Sequence, residues 1–226
     1  MSEESPGSIL DELPRSATLT QLVYDRLRRG LLVGFWAPGE KLSARQTARE
    51  MDVSLTPVRE AMMRLANEGA LELTRARVFQ TPELSRSQYR ELVRIRVALE
   101  PMAAELAAAR MPVERIDEIE AMNERLAELI EAESYSEALE IDSEFHLKIY
   151  DQAGQPLLRA IIDSLLLRAG PTRTRLSPSY RKSLRGYEQH RRIIAALRAR
   201  DGAAARAEIA ADLSKGAEVI LGILPE

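Results

Sequence analysis

The chain has 226 residues, of which 45% are hydrophobic, 30% charged and only 4% aromatic, with a formal net charge of -3. That length suits one large domain or two smaller ones, each able to bury a real core. Cysteine is absent, which excludes disulfides, thiolate metal sites and a cysteine nucleophile, and fits a reducing cytoplasm.

Residues 1–16, "MSEESPGSILDELPRS", read as a flexible polar tail without the apolar core of a signal peptide, and no later apolar run is long enough to span a membrane. A cytoplasmic protein with no membrane partner is expected. From Leu19, the spacing of Leu22, Val23, Leu27 and Leu31 predicts an amphipathic helix that Gly34 and the "APGEKL" turn stop. Ser43 suits the N-cap of a short helix, "ARQTAREM". Ser54 or Thr56 can cap a third, in which Val58, Ala61, Met62 and Leu65 form the inner stripe and Gly69 marks the end. The runs "LELT" (71–74) and "VFQT" (78–81) predict a short hairpin around "RAR".

Three short helices and a hairpin make a winged helix-turn-helix over residues 17–82. In that plan the start of the third helix reaches base edges, and it carries Ser54, Leu55, Thr56 and Arg59. Arg45 on the preceding helix can reach phosphate, and Arg75 and Arg77 on the wing can enter the minor groove or grip the backbone. Between Arg15 and Pro82, eleven basic residues oppose seven acidic ones, so this part is locally basic on an acidic chain. Exposed arginines on short helices are also ordinary surface features, and periodicity alone leaves that alternative open.

A second domain is expected over residues 83–226, and from Ser85 to Leu224 nearly everything has helical period: 86–110, 113–133, 135–153, 156–173, 179–200 and 202–222. Pro101 is expected to kink the first of these near Glu100. The alanine-rich "AAELAAAR" and "GAAARAEIAA" suggest close helix packing. The fold expected is mainly α, with the winged helix-turn-helix followed by an all-α bundle of about six helices.

One helix carries an anomaly. In "ALEIDSEFHLKIYDQAG" the apolar stripe of Ala138, Phe145 and Ile149 also holds Asp142 and His146, which are costly to bury unless paired or ligated. Four residues apart, they can point to one ion from adjacent turns. His190, the only other histidine, lies on a face with Tyr187, Ile194 and Leu197. A metal-free Asp–His pair in the core is the competing explanation.

The stretch "APGEKLSARQTAREMDVSLTPVREAMMRLANEGALE" resembles the N-terminal signature of GntR-family bacterial transcription regulators. The resemblance implies DNA contacts by Arg45, Ser54, Thr56 and Arg59. Leu55 stands where that family usually has Arg, and Val78 falls near the wing's usual Gly. The rest resembles the FCD-type ligand-binding domain of the FadR-like branch, through "RIRVALEPMAAELAA", the Asp142–His146 pair, "GQP" at 154–156 and "EQHRRIIAAL". By resemblance His146 and His190 occupy metal-ligand positions, Asp212 replaces a third histidine, and Arg96 is the cation for an anionic effector, with Arg173 and Arg175 as further candidates. The ligand set Asp142, His146, His190 and Asp212 suits Zn²⁺, Ni²⁺, Mn²⁺ or Fe²⁺.

The function expected is a homodimeric repressor on a double-stranded DNA operator, modulated by a divalent metal and a small organic acid. Two rivals are a helical-bundle metalloenzyme and a DNA-binding regulator whose bundle serves only dimerisation. The first is disfavoured because no paired Glu-x-x-His motif occurs.

Overall fold

The computed structural model describes residues 19–225, so the expected tail at 1–16 lies outside the described residues. The first unit contains α1 (Leu19–Leu32), β1 (Lys41–Leu42), α2 (Ala44–Glu50), α3 (Leu55–Asn67), β2 (Glu72–Leu73) and β3 (Phe79–Gln80). Leu27, Leu31, Val58, Ala61, Met62 and Leu65 meet between α1 and α3 with no exposed surface. Burying large apolar side chains of this kind contributes roughly 1.5–3 kcal/mol each. Ser43 caps α2 by accepting from the Gln46 N–H. Ser54 occupies the N-cap of α3, but its side chain makes no capping hydrogen bond.

The sheet has three strands in the order β1-β3-β2, all antiparallel, with Lys41 opposite Gln80 and Leu73 opposite Phe79. The expected hairpin is therefore joined by Lys41–Leu42, a strand too short to show a period and placed inside what reads as a turn.

Six long helices build the bundle: α4 (Arg86–Ala108), α5 (Val113–Glu131), α6 (Tyr135–Asp151), α7 (Pro156–Ala169), α9 (Arg185–Arg198) and α10 (Gly202–Leu221), with α8 reduced to Pro178–Arg181. A capping box of Ser85 and Gln88 starts α4, and Asp201 caps α10 through the Ala204 N–H. α10 lies along α4, where Ala103, Ala104 and Ala107 face Ala205 and Ile209, so small side chains let the two backbones approach. Pro101 lies inside α4, which continues through it to Ala108.

Two boundaries differ from the sequence pattern. Pro171 has no N–H to continue α7, and the chain tightens into a 3₁₀ segment over Gly170–Arg175. The single helix expected over 179–200 divides, because the Tyr180 carbonyl accepts from both the N–H and the hydroxyl of Ser183, which closes α8 after one turn.

The two units share one continuous core. Arg28 pairs with Asp163, Arg29 Nε lies 2.5 Å from Glu140, and Ser164 donates to the Glu68 carbonyl at 2.9 Å. At Gly170 the backbone of the 3₁₀ segment comes so close to α1 that a Cβ would overlap the Leu31 carbonyl oxygen.

Candidate functional site

The basic residues of the first unit fall into two groups. Arg28, Arg29 and Arg64 serve the structure; Arg64 pairs with Glu68 at 3.1 Å and covers the Tyr24 ring at 3.8 Å. The side chains of Arg45, Arg59, Arg75 and Arg77, like those of Arg26, Lys41 and Arg49, are exposed and make no ion pair or hydrogen bond among the described residues. Ser54, Thr56 and Arg59 stand on the exposed side of the α3 N-terminus, while Pro57, Val58 and Ala61 anchor its other side. The wing turn closes through the Arg77 N–H to the Thr74 carbonyl at 2.9 Å, with Arg77 in the left-handed region at φ 57°. Glycine would adopt that conformation without the roughly 1–2 kcal/mol that an L side chain costs. The glycine-favouring position is thus Arg77, one residue before Val78.

In the bundle, Asp142, His146 and His190 each offer a ligand atom, and these atoms lie within 4.8 Å of one another. α6 supplies Asp142 and His146 from adjacent turns, and α9 supplies His190. The Asn123 amide donates through Nδ2 to the Tyr187 carbonyl at 3.1 Å, which turns its Oδ1 toward His190 Nδ1, also at 3.1 Å. His190 therefore carries its proton on Nδ1, and Nε2 presents a lone pair. That Nε2 is buried, has no hydrogen-bond partner and lies 3.7 Å from Asp142 Oδ1. Phe145 stacks on the ring, with centroids 3.9 Å apart, and fixes its plane. Burial, then the neighbouring His146, pushes the His190 pKa down to about 4, so the imidazole stays neutral and able to ligate.

His146 is held from behind. Arg96 pairs with the fully buried Glu100 (Nε–Oε1 2.5 Å, Nη2–Oε2 3.2 Å), the Tyr150 hydroxyl donates to Glu100 at 2.8 Å, and the Tyr150 oxygen lies 3.4 Å from His146 Nδ1. The other nitrogen, Nε2, faces Asp212 Oδ2 at 3.3 Å. Burial opposes a charge on His146, but the Asp212 hydrogen bond and the Asp212 and Asp142 charges raise its pKa above the ordinary imidazole value. Burial also opposes the Asp142 charge, yet Arg173, then His146 and His190, hold its carboxyl at about 2. Asp142, His146 and His190, two imidazoles and one ionised carboxylate with one orphaned nitrogen, form a donor set that could hold a divalent cation, with Asp212 beside it on His146.

Asp142, His146, Asp212, Arg96 and Arg173 line one cavity of about 830 Å³. Arg96 keeps Nη1 without a partner among the described residues. Arg173 grips Asp142 and donates to Ser143 at 2.7 Å. Arg175 turns away to Glu83 at 2.9 Å. Sequence reasoning missed Asn123, Glu100 and Tyr150, although Glu100 and Asn123 interrupt apolar stripes. Leu32, at the end of α1, also lines the cavity.

Two family models match the chain: "Bacterial regulatory proteins, gntR family" over residues 19–78 and "FCD domain" over 91–215. The HTH-type transcriptional regulator McbR of Escherichia coli is 32% identical over 189 residues, spanning 83% of this chain and 86% of its own. The HTH-type transcriptional repressor RspR of Escherichia coli is 26% identical, over 95% of this chain and 94% of its own. The structure of E. coli McbR/YncC superposes with a TM-score of 0.83 at 30% identity, covering 90% of this chain and 97% of that one. These relatives are transcriptional regulators and not enzymes, which removes the metalloenzyme alternative. Among the described residues no helix is long and apolar enough to cross a membrane. With a GntR-type DNA reader followed by an FCD bundle, the chain belongs to the GntR family of transcriptional regulators, in its FadR-like branch.

Proposed function

We infer that this regulator is a cytoplasmic homodimer and a repressor, whose grip on operator DNA is set by a divalent metal and an organic acid in the bundle. Ser54, Thr56 and Arg59 at the α3 N-terminus read base edges, Arg45 holds phosphate, and Arg75 and Arg77 hold the backbone beside the wing. Their exposure and lack of internal partners support this reading. That one relative is named a repressor supports the sign of regulation.

Asp142, His146 and His190 hold the metal, with Asp212 as the fourth ligand. The observation that carries this is the buried, unpartnered Nε2 of His190, turned toward Asp142 by the Asn123 amide. Leaving such an atom unsatisfied costs about 1–3 kcal/mol, which an ion removes. When bound, the metal supplies a Lewis-acidic centre for a carboxylate. Arg96, through Nη1, and Arg173 orient that anion. Because Arg173 belongs to the 3₁₀ segment whose Gly170 abuts Leu31, a shift of Arg173 is felt at the end of α1.

Fluorescence anisotropy on DNA from upstream of the protein's own gene tests the reading, with protein stripped by chelator, reloaded with zinc, and reloaded with zinc plus acid. Affinity is expected to differ among the three states and to fall steeply with salt. Equal affinity in all three would leave the bundle a dimerisation module.

A further inference from the structure

The cavity extends well beyond its charged end. On the cavity side of α6, Asp142 is preceded by Leu139, Ala138 and Tyr135, and Leu126 and Ile130 of α5 line the same wall. Leu126, Ile130, Ala138 and Leu139 give the cavity one apolar wall, while Arg185, Glu188, Arg192, Lys215 and Glu218 line it elsewhere. At a helical rise of 1.5 Å per residue, Tyr135 lies roughly 10 Å along α6 from Asp142, about the length of an extended chain of six to eight carbons. Leu176, Tyr180 and Leu184 line the cavity from the segment that carries α8. Lys182 of that segment forms an exposed ion pair with Glu133 at the α5–α6 turn. An acid of two or three carbons fills only the charged end and leaves the apolar wall facing water.

We propose that the effector is an amphiphilic monocarboxylate, with its carboxylate at the Arg173 end and an apolar body of about six to eight carbons along Leu139, Ala138 and Leu126. This rests on the reading that the charged end takes a carboxylate. Leu32 of α1 is also part of the cavity wall.

Calorimetric titration of the zinc-loaded full chain with sodium salts of straight-chain acids, from acetate to decanoate, tests the proposal. Affinity is expected to rise roughly fourfold per methylene, the factor for burying one CH₂, and to level off near octanoate. Leu139→Trp, which fills the apolar lobe, is expected to weaken octanoate by at least about tenfold while zinc content and acetate affinity stay unchanged. If that variant fails to fold, the native chain-length series decides alone. Acids that bind equally well at every length would overturn the amphiphile and leave the carboxylate reading standing. Retained zinc with no acid binding at any length would overturn both.

Discussion

Removing the Arg96 guanidinium should destabilise the bundle before any question of effector binding arises. Glu100 has no exposed surface, and its partners are Arg96 and the Tyr150 hydroxyl. Arg96→Met keeps most of the side-chain volume but strands a buried carboxylate, a change that costs about 3–5 kcal/mol. For a chain of this size each kcal/mol lowers the melting temperature by about 2–4 °C, so a fall of roughly 6–20 °C is expected. Glu100→Gln in the same chain removes the stranded charge while keeping an acceptor for Tyr150, and most of the loss should be recovered. Calorimetric melting of the wild type, both single variants and the double variant measures the coupling. If Arg96→Met melts within about a degree of wild type, the pair is not the buried strut described above. The same set isolates Arg96 as an effector contact: the double variant should bind acid more weakly than Glu100→Gln alone.

Arg59→Ala should weaken operator binding by about 1–3 kcal/mol at fixed salt, read by gel shift, because Arg59 is exposed and has no internal role to lose; unchanged affinity would remove it from the contacts. Asp212→Ala should lower metal occupancy and melting temperature together, whereas Asp212→His should retain metal and favour Zn²⁺ or Ni²⁺ over Mn²⁺. Elemental analysis with melting curves in chelator checks both, and full occupancy in Asp212→Ala would place Asp212 outside the ligand set. Gly170→Ala places a Cβ against the Leu31 carbonyl and forces α1 from the 3₁₀ segment. It should alter operator affinity and its response to acid while zinc binding persists; wild-type anisotropy curves would show that this contact carries no signal.

The legible parts were those with a local period or a long motif. The stripe of Val58, Ala61, Met62 and Leu65 and the turn residues around it defined the DNA-reading helices, and the anomaly at Asp142 and His146 was visible from their own helix. What escaped depends on long-range placement. Asn123 lies 67 residues from the ring it orients, and Glu100 lies 50 from Tyr150. No spacing rule joins such pairs. Arg96 and Arg173 both belong to the cavity, but only three-dimensional packing shows that Arg96 supports Glu100 while Arg173 holds Asp142. The α8–α9 break turns on one serine hydroxyl competing for a carbonyl, which a helical stripe does not reveal.

Metal content is the most direct test of the central claim that the bundle is a metal-dependent sensor. Elemental analysis after zinc loading and desalting would compare the wild type with Asp142→Ala/His190→Ala, whose remaining His146 and Asp212 cannot hold an ion alone. About one ion per chain is expected in the wild type and nearly none in the variant. A wild type that keeps no metal, or a variant that keeps a full equivalent, would contradict the assignment of Asp142, His146 and His190 as the ligands.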